Sequence, residues 1–268
     1  MFVTSNSPKA GAEVLLVHGL GCQGTVWGPL QCYLGQRGLT CVAPTLLARH
    51  RPKALAGPRA PDLGFDDYVR EVRHLCEASA SRTGHAPIII GHSMGGLIAQ
   101  VIAAEQRCSK AVFLAPAPPR AVPNRSPWML WCFANVLISG NTKRYHKAWR
   151  RGAMDVLFHP LALPRGAQIY RDMVFEPGRL FADMAKRVEL SADALRIPTL
   201  TVAAGQDRAV PAAVVRRIAT YYSASPVPTE FREYPESGHW LLDDADSAGL
   251  YCDLADWIAE PVTGMAKL

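Results

Sequence analysis

The residue best placed to do chemistry in this chain of 268 residues is Ser93, in the run Gly91-His92-Ser93-Met94-Gly95-Gly96. An apolar, β-type stretch precedes it and a helical pattern follows. The G-x-S-x-G spacing on a strand-to-helix turn holds a serine in a strained conformation with its hydroxyl projecting at a sheet edge. Side chains at Gly91 and Gly95 would collide with neighbouring backbone in so tight a turn. The start of the helix also supplies free N–H groups beside the hydroxyl, where negative charge would develop.

A serine hydroxyl is a poor nucleophile near neutral pH and needs a base that a third group orients. The chain has eight histidines. His50 lies in a basic loop, His74 and His85 on or just after a surface helix, His146 in a basic run, and His159 before Pro160. His92 adjoins the serine, but its side chain is expected to point away from the hydroxyl. His239 sits in Glu236-Ser237-Gly238-His239-Trp240, just past the last predicted strand. That loop falls on the carboxyl edge where Ser93 is expected, and parallel α/β sheets gather their ligands along that edge.

The orienting acid should come from another strand end. Asp207 is the only carboxylate in the loop that follows the predicted strand 198–204. The strand at 111–115 runs instead into Pro116-Ala117-Pro118-Pro119, without an acid. The order Ser93, Asp207, His239 is the one this nucleophile turn is associated with. Two backbone amides are candidates to hold an oxyanion. One is Met94 N–H, directly after the serine. The other is Leu20 N–H, in His18-Gly19-Leu20-Gly21 after the first strand.

Those positions require strands that end together. Short β-type runs at 13–17, 40–43, 87–90 and 111–115 alternate with helical patterns at 25–37, 65–80 and 94–105. Such alternation implies right-handed crossovers and a mostly parallel sheet covered by helices on both faces. The pattern stops between residues 117 and 190. A proline-rich stretch opens that segment, an aromatic run (128–138) and a basic run follow, and two further helical stretches lie at 161–174 and 177–188. No strand is predicted there. The sheet resumes at 198–204, with a helix from Pro211 to Tyr222, a last strand at 229–234 and a closing helix at 248–259. The domain reading is therefore a core made of 1–116 and 191–268, with 117–190 as a helical lid. The proline- and arginine-rich loop 48–61 is expected to be mobile.

These motifs resemble the α/β-hydrolase family. His18-Gly19-Leu20-Gly21 with Trp27 is similar to its oxyanion loop, and Gly91–Gly95 to its nucleophile elbow. Gly205-x-Asp207-x-x-Val210-Pro211 is similar to its acid loop, and Gly238-His239-Trp240 to its histidine loop. The resemblance implies an α/β fold, a central sheet flanked by helices, with a helical cap inserted after the fourth predicted strand. The residues before Glu13 are too few for the antiparallel strands that usually start such a sheet, so that edge is expected to be short or missing.

With serine as nucleophile the expected chemistry is acyl transfer: hydrolysis of a carboxylic ester or thioester, with neither metal nor organic cofactor. A cofactor-free lyase, cyclase or acyl-transfer enzyme, or a non-catalytic ligand receptor, is compatible with the same residues. Trp128, Trp131, Phe133 and Leu137 are candidates for an apolar substrate wall. Lys143, Arg144, Lys147 and Arg150 form either a solvated face or a contact for coenzyme A, an acyl carrier protein or an anionic lipid surface.

Composition narrows the rest. Hydrophobic residues make up 49% and charged residues 19%, which excludes disorder over most of the chain. No apolar run reaches the roughly 18 residues a membrane-spanning helix needs. The net charge of +6 permits acidic partners. The cations are not interleaved with aromatic residues on a sheet, so nucleic acid is not an expected partner. Seven cysteines without a C-x-x-C pair read as free thiols in a reducing compartment. No secretory signal opens the sequence, so the expected location is the cytoplasm.

Overall fold

The computed structural model describes residues 11–55, 59–186, 188–227, 229–244 and 246–261. The first half alternates strand and helix. β1 (Val14–Val17) leads through a 3-10 turn to α1 (Gly28–Gln36), β2 (Cys41–Val42), α2 (Phe65–Thr83), β3 (Ile88–His92), α3 (Met94–Ala104) and β4 (Lys110–Leu114). α4 (Pro127–Cys132), α5 (Ala134–Ser139), β5 (Tyr145–His146), α6 (Arg150–Gly152), α7 (Leu163–Asp172), β6 (Glu176–Pro177) and α8 (Gly178–Lys186) follow. β7 (Thr199–Ala204), α9 (Ala212–Tyr221), β8 (Thr229–Tyr234) and α10 (Ser247–Ala259) complete the order.

Six strands form one sheet in the order β2-β1-β3-β4-β7-β8, every neighbouring pair parallel. Every residue of β1, β3, β4 and β7 is buried. That follows from helices on both faces, which leave no side of a central strand for polar residues. The edge strand β8 (TEFREY) carries Glu230, Arg232 and Glu233, charges that discourage pairing with another chain. α3 runs through the middle of the molecule, and its residues Met94 to Ala103 are all buried. α2 instead buries one stripe, Phe65, Tyr68, Val69, Val72 and Cys76, at the spacing of an amphipathic helix.

Because the strands are parallel, their carboxyl ends line up. The connections out of β1, β3, β7 and β8 therefore leave from one edge. The chain proceeds from β1 to β2 on one side and to β3 on the other, so the strand order reverses between β1 and β3. That is where an open α/β sheet leaves a crevice.

Several expectations need correction. The 117–190 segment is not purely helical, because β5 and β6 pair antiparallel, with His146 opposite Glu176. The aromatic run is two six-residue helices broken at Phe133, whose backbone leaves helical geometry. Within the loop 48–61, expected to be mobile, Arg51 is 4% accessible and fully engaged. Residues 56–58 of that loop, and residues 1–10 ahead of β1, lie outside the described ones. All seven cysteines are free.

Candidate functional site

Ser93 stands between β3 and α3 at φ 55° and ψ −118°. A non-glycine residue is rare in this region of backbone space, and the strain must be held by its surroundings. Here the glycines do the holding. A Cβ on Gly91 would run into the Gly95 carbonyl, and one on Gly95 into the Val17 carbonyl. The turn is therefore wedged against the end of β1, with Ser93 N–H donating to Leu114 O at 3.0 Å.

His239, in the loop after β8, points its Nε2 at Ser93 Oγ, 3.0 Å away. Its Nδ1 lies 2.8 Å from Asp207 Oδ2. A carboxylate only accepts, so Nδ1 carries the proton and Nε2 is left with its lone pair toward the hydroxyl. The other Asp207 oxygen accepts from Ala209 N–H at 2.7 Å and Val210 N–H at 2.9 Å. Asp207 and His239 are both buried. Two backbone bonds tie the acid loop to the histidine loop: Gly205 N–H to Tyr234 O, and Gln206 N–H to Ser237 O. From the 117–190 segment, Asn124 and Ser126 donate to the carbonyls of Ala209 and Arg208 and pin the acid loop from the other side.

His92 does turn away from the hydroxyl, and the structure gives it a use that sequence reasoning missed. Its Nε2–H donates to the backbone carbonyl of His239 at 2.8 Å. Burial, together with the nearby His239, pushes its pKa down to about 3. The ring is thus a neutral brace under the histidine loop.

The loop after β1 is organised in a similar way. His18 Nε2 accepts from Leu46 N–H at 3.0 Å, so its proton sits on Nδ1, which donates to Gly19 O at 2.9 Å. In a trans peptide the N–H points opposite to the C=O. Fixing the Gly19 carbonyl therefore fixes the direction of Leu20 N–H. Burial and the Arg51 cation hold His18 at about 3. Arg51 bonds Glu176 at 2.6 and 2.8 Å, and also Leu46 O and Cys22 O. Glu176 takes Gly21 N–H at 2.7 Å and Tyr68 O–H at 2.5 Å. Gly21 N–H is committed to Glu176, whereas Leu20 N–H and Met94 N–H donate to no acceptor among the described residues.

A cavity of about 380 Å³ opens over these groups. Ser93, His239, Leu20 and Met94 form its floor, and its walls are mostly apolar, including Leu97, Met129, Phe181 and Trp240. Among the described residues, the charged side chains of Glu176 and Lys147 reach it, and both are satisfied. Glu176 belongs to the ion pair, and Lys147 Nζ donates to Tyr170 O and Met173 O at 2.8 Å each. Lys147 is consequently an internal strut and not part of a free cationic run. Lys143, Arg144 and Arg150 are exposed.

Of the four residues expected to wall the substrate site, Phe133 and Leu137 line the cavity. Trp128 and Trp131 do not. The Trp128 ring lies under the Arg208 guanidinium, 4.8 Å away, and Trp131 packs edge-on against Trp149 with ring centres 4.4 Å apart. In their place Leu157, Phe158 and Met184 supply wall that the sequence did not single out.

Residues 14–250 match the model of the alpha/beta hydrolase family. Several solved structures share the fold. A hydrolase from Pseudomonas aeruginosa PA01 superposes with a TM-score of 0.69 at 18% identity, covering 94% of this chain and 91% of that one. A methylesterase from Arabidopsis gives 0.68 at 16% identity, covering 92% and 98%. A monoacylglycerol lipase from Paleococcus ferrophilus gives 0.64 at 18%, covering 93% and 96%. No curated protein sequence matches the chain.

Proposed function

The chain belongs to the alpha/beta hydrolase family, and from that premise we propose that it hydrolyses a carboxylic ester or thioester of a largely apolar acyl group through an acyl-enzyme on Ser93. One observation carries the reading. An unbroken path of hydrogen bonds runs from Ser93 Oγ through His239 to Asp207, at 3.0 and 2.8 Å, on the floor of an apolar cavity. The activities named for the Arabidopsis and Paleococcus proteins, both acting on esters, support the same class of bond.

In this reading Ser93 Oγ attacks the substrate carbonyl while His239 Nε2 takes its proton. Asp207 holds the imidazole in the competent tautomer and balances its positive charge. Leu20 N–H and Met94 N–H receive the oxyanion. The imidazolium then protonates the leaving alcohol or thiol, leaving Ser93 acylated. Water then attacks the acyl carbonyl as His239 takes its proton, and His239 returns that proton to Ser93 Oγ as the acid is released. The 117–190 segment acts as the cap that gives the acyl group an apolar wall.

Turnover of p-nitrophenyl esters tests this. Ser93→Ala is expected to lower kcat by about 10⁶-fold, and Asp207→Asn, which misorients the imidazole, by about 10⁴-fold. Hydrolysis that survives Ser93→Ala would show that the bond is cleaved by other groups.

A further inference from the structure

Between Glu105 and Asp155 the chain carries nine lysines and arginines and not one acid. Most of these cations are spent inside the protein or in ion pairs. Lys110 and Lys147 cap carbonyls, Arg107 pairs with Glu77 and Glu105, Arg120 with Glu189, and Arg151 with Asp155. Lys143, Arg144 and Arg150, and Arg125 ahead of α4, are exposed and have no carboxylate partner among the described residues.

Five of the seven exposed large apolar side chains among the described residues lie in the same part of the molecule, Leu55 and Leu163 being elsewhere. Ile138 is 87% accessible, Leu130 63% and Leu137 57%, with Trp128 and Trp131 about two-fifths exposed (41% and 40%). All five sit on α4 and α5. Leu130 and Leu137 also line the cavity, so its mouth opens within this apolar crest. The cations flank it. Lys143 and Arg144 follow α5 after a short turn, and Arg150 adjoins Trp149, whose indole N–H donates to Trp131 O at 2.7 Å. Asp155, the first acid to follow, is occupied by Trp131 Nε1 and Arg151.

A soluble surface does not normally gather aliphatic groups and indoles in one place without a partner for them. Here they are bordered by unpaired cations, which is the pattern of a surface that sits in the headgroup layer of an anionic bilayer. We propose that the outer face of α4 and α5, with Lys143, Arg144 and Arg150, docks the protein on anionic phospholipid membranes. The docked pose turns the cavity mouth toward the acyl chains. A soluble acidic carrier would satisfy the three cations but would give no reason to expose Ile138 and Leu130. The inference goes beyond the hydrolase reading, and binding is measured without turnover, so failure of either leaves the other standing.

The test is co-sedimentation of the full chain with vesicles of phosphatidylcholine alone and of phosphatidylcholine with phosphatidylglycerol. Binding to the anionic vesicles is expected, weakening as salt rises. Replacing Lys143, Arg144 and Arg150 together by Gln is expected to weaken it about 100-fold, since each cation near an anionic surface is worth roughly fivefold. Ile138→Ser, at a side chain with almost no protein contact, is expected to weaken it about tenfold, as loss of roughly two buried CH₂ equivalents would. Unchanged thermal unfolding of both variants would tie any loss to the surface itself. Failure to bind anionic vesicles, equal binding to both compositions, or binding that survives both variants would overturn the proposal. So would capture of coenzyme A or an acyl carrier protein by the three cations without vesicle binding.

Discussion

The guanidinium of Arg51 and the carboxylate of Glu176 meet through two bonds, at 2.6 and 2.8 Å, with both side chains shut off from solvent. The two residues are 125 positions apart, one in the loop after β2 and the other on β6 in the 117–190 segment. Between them they grip the loop after β1 at Gly21 N–H, Cys22 O and the His18 ring. The amide of Leu20, proposed to receive the oxyanion, hangs from that grip.

Breaking one partner of a buried pair strands the other charge at a cost of about 3–5 kcal/mol, whereas replacing both by apolar groups is often close to neutral. Glu176→Gln is therefore expected to lower the unfolding midpoint by roughly 10 °C, at about 2–4 °C per kcal/mol for a chain near this size. The double change Arg51→Met/Glu176→Leu should lose less than the two single changes added together. Ester kinetics on Glu176→Gln should show a fall in kcat of about tenfold with KM nearly unchanged, because a transition-state donor is disturbed. Additive losses in the double variant, or an effect confined to KM, would contradict this role.

Two buried neutral histidines predict an acid-side loss of stability. His18 and His92 are held at about 3, far below the ordinary imidazole value, chiefly by burial. Between pH 3 and about 6.5 each is neutral in the folded protein and protonated in the unfolded chain. The unfolded state binds more protons there, so the stability each contributes is fully present above pH 6.5. It is lost as pH falls, by about 1.4 kcal/mol per unit for each histidine. His92→Gln, which keeps a donor toward His239 O, should flatten the slope by one histidine's share. Urea unfolding at pH 4.5, 5.5 and 7 measures it, and an unchanged slope would contradict it.

The glycines divide into two groups. Gly95→Ala drives a methyl group into the Val17 carbonyl and should cost enough to abolish folding or the Ser93 turn. Gly249→Ala, on the exposed side of α10 with nothing within 4 Å of the added carbon, should raise stability by about 1 kcal/mol through helix propensity alone. Thermal unfolding of the two variants distinguishes them, and a destabilised Gly249→Ala would show that α10 packs differently.

In the proposed reaction the cavity wall would set chain-length preference. Phe133 and Phe181 meet edge-to-face, with ring centres 5.6 Å apart, and both line the cavity. Phe181→Ala should shift kcat/KM toward longer acyl esters by about tenfold, the worth of a methylene or so in an apolar pocket. Equal loss across all chain lengths would mean that the acyl group lies elsewhere.

How much of this was legible in the sequence depended on whether the signal was local. β1, β3, β4 and β7 are runs of buried apolar residues, and α3 an apolar helix, so their composition gave them away. Ser93, Asp207 and His239 could be named because each follows a strand, and parallel strands bring their ends to one edge. The missed features are long-range. Arg51 reads as a loop cation until Glu176 is known to face it. β5 and β6 pair across thirty residues through two positions each, too few for any periodicity. α4 and α5 have six residues apiece, and without two full turns the sequence does not say which side of a helix faces the cavity. That is why Phe133 and Leu137 fell on the cavity while Trp128 and Trp131 fell outside it.

The central claim is that His239 and Asp207 activate the hydroxyl of Ser93. Treatment with a fluorophosphonate, followed by intact-protein mass and peptide mapping, tests it most directly. The account predicts one adduct per chain, on the peptide carrying Ser93, absent in Ser93→Ala and strongly slowed in His239→Ala. No adduct on the folded protein, or an adduct on another residue that persists in Ser93→Ala, would contradict it.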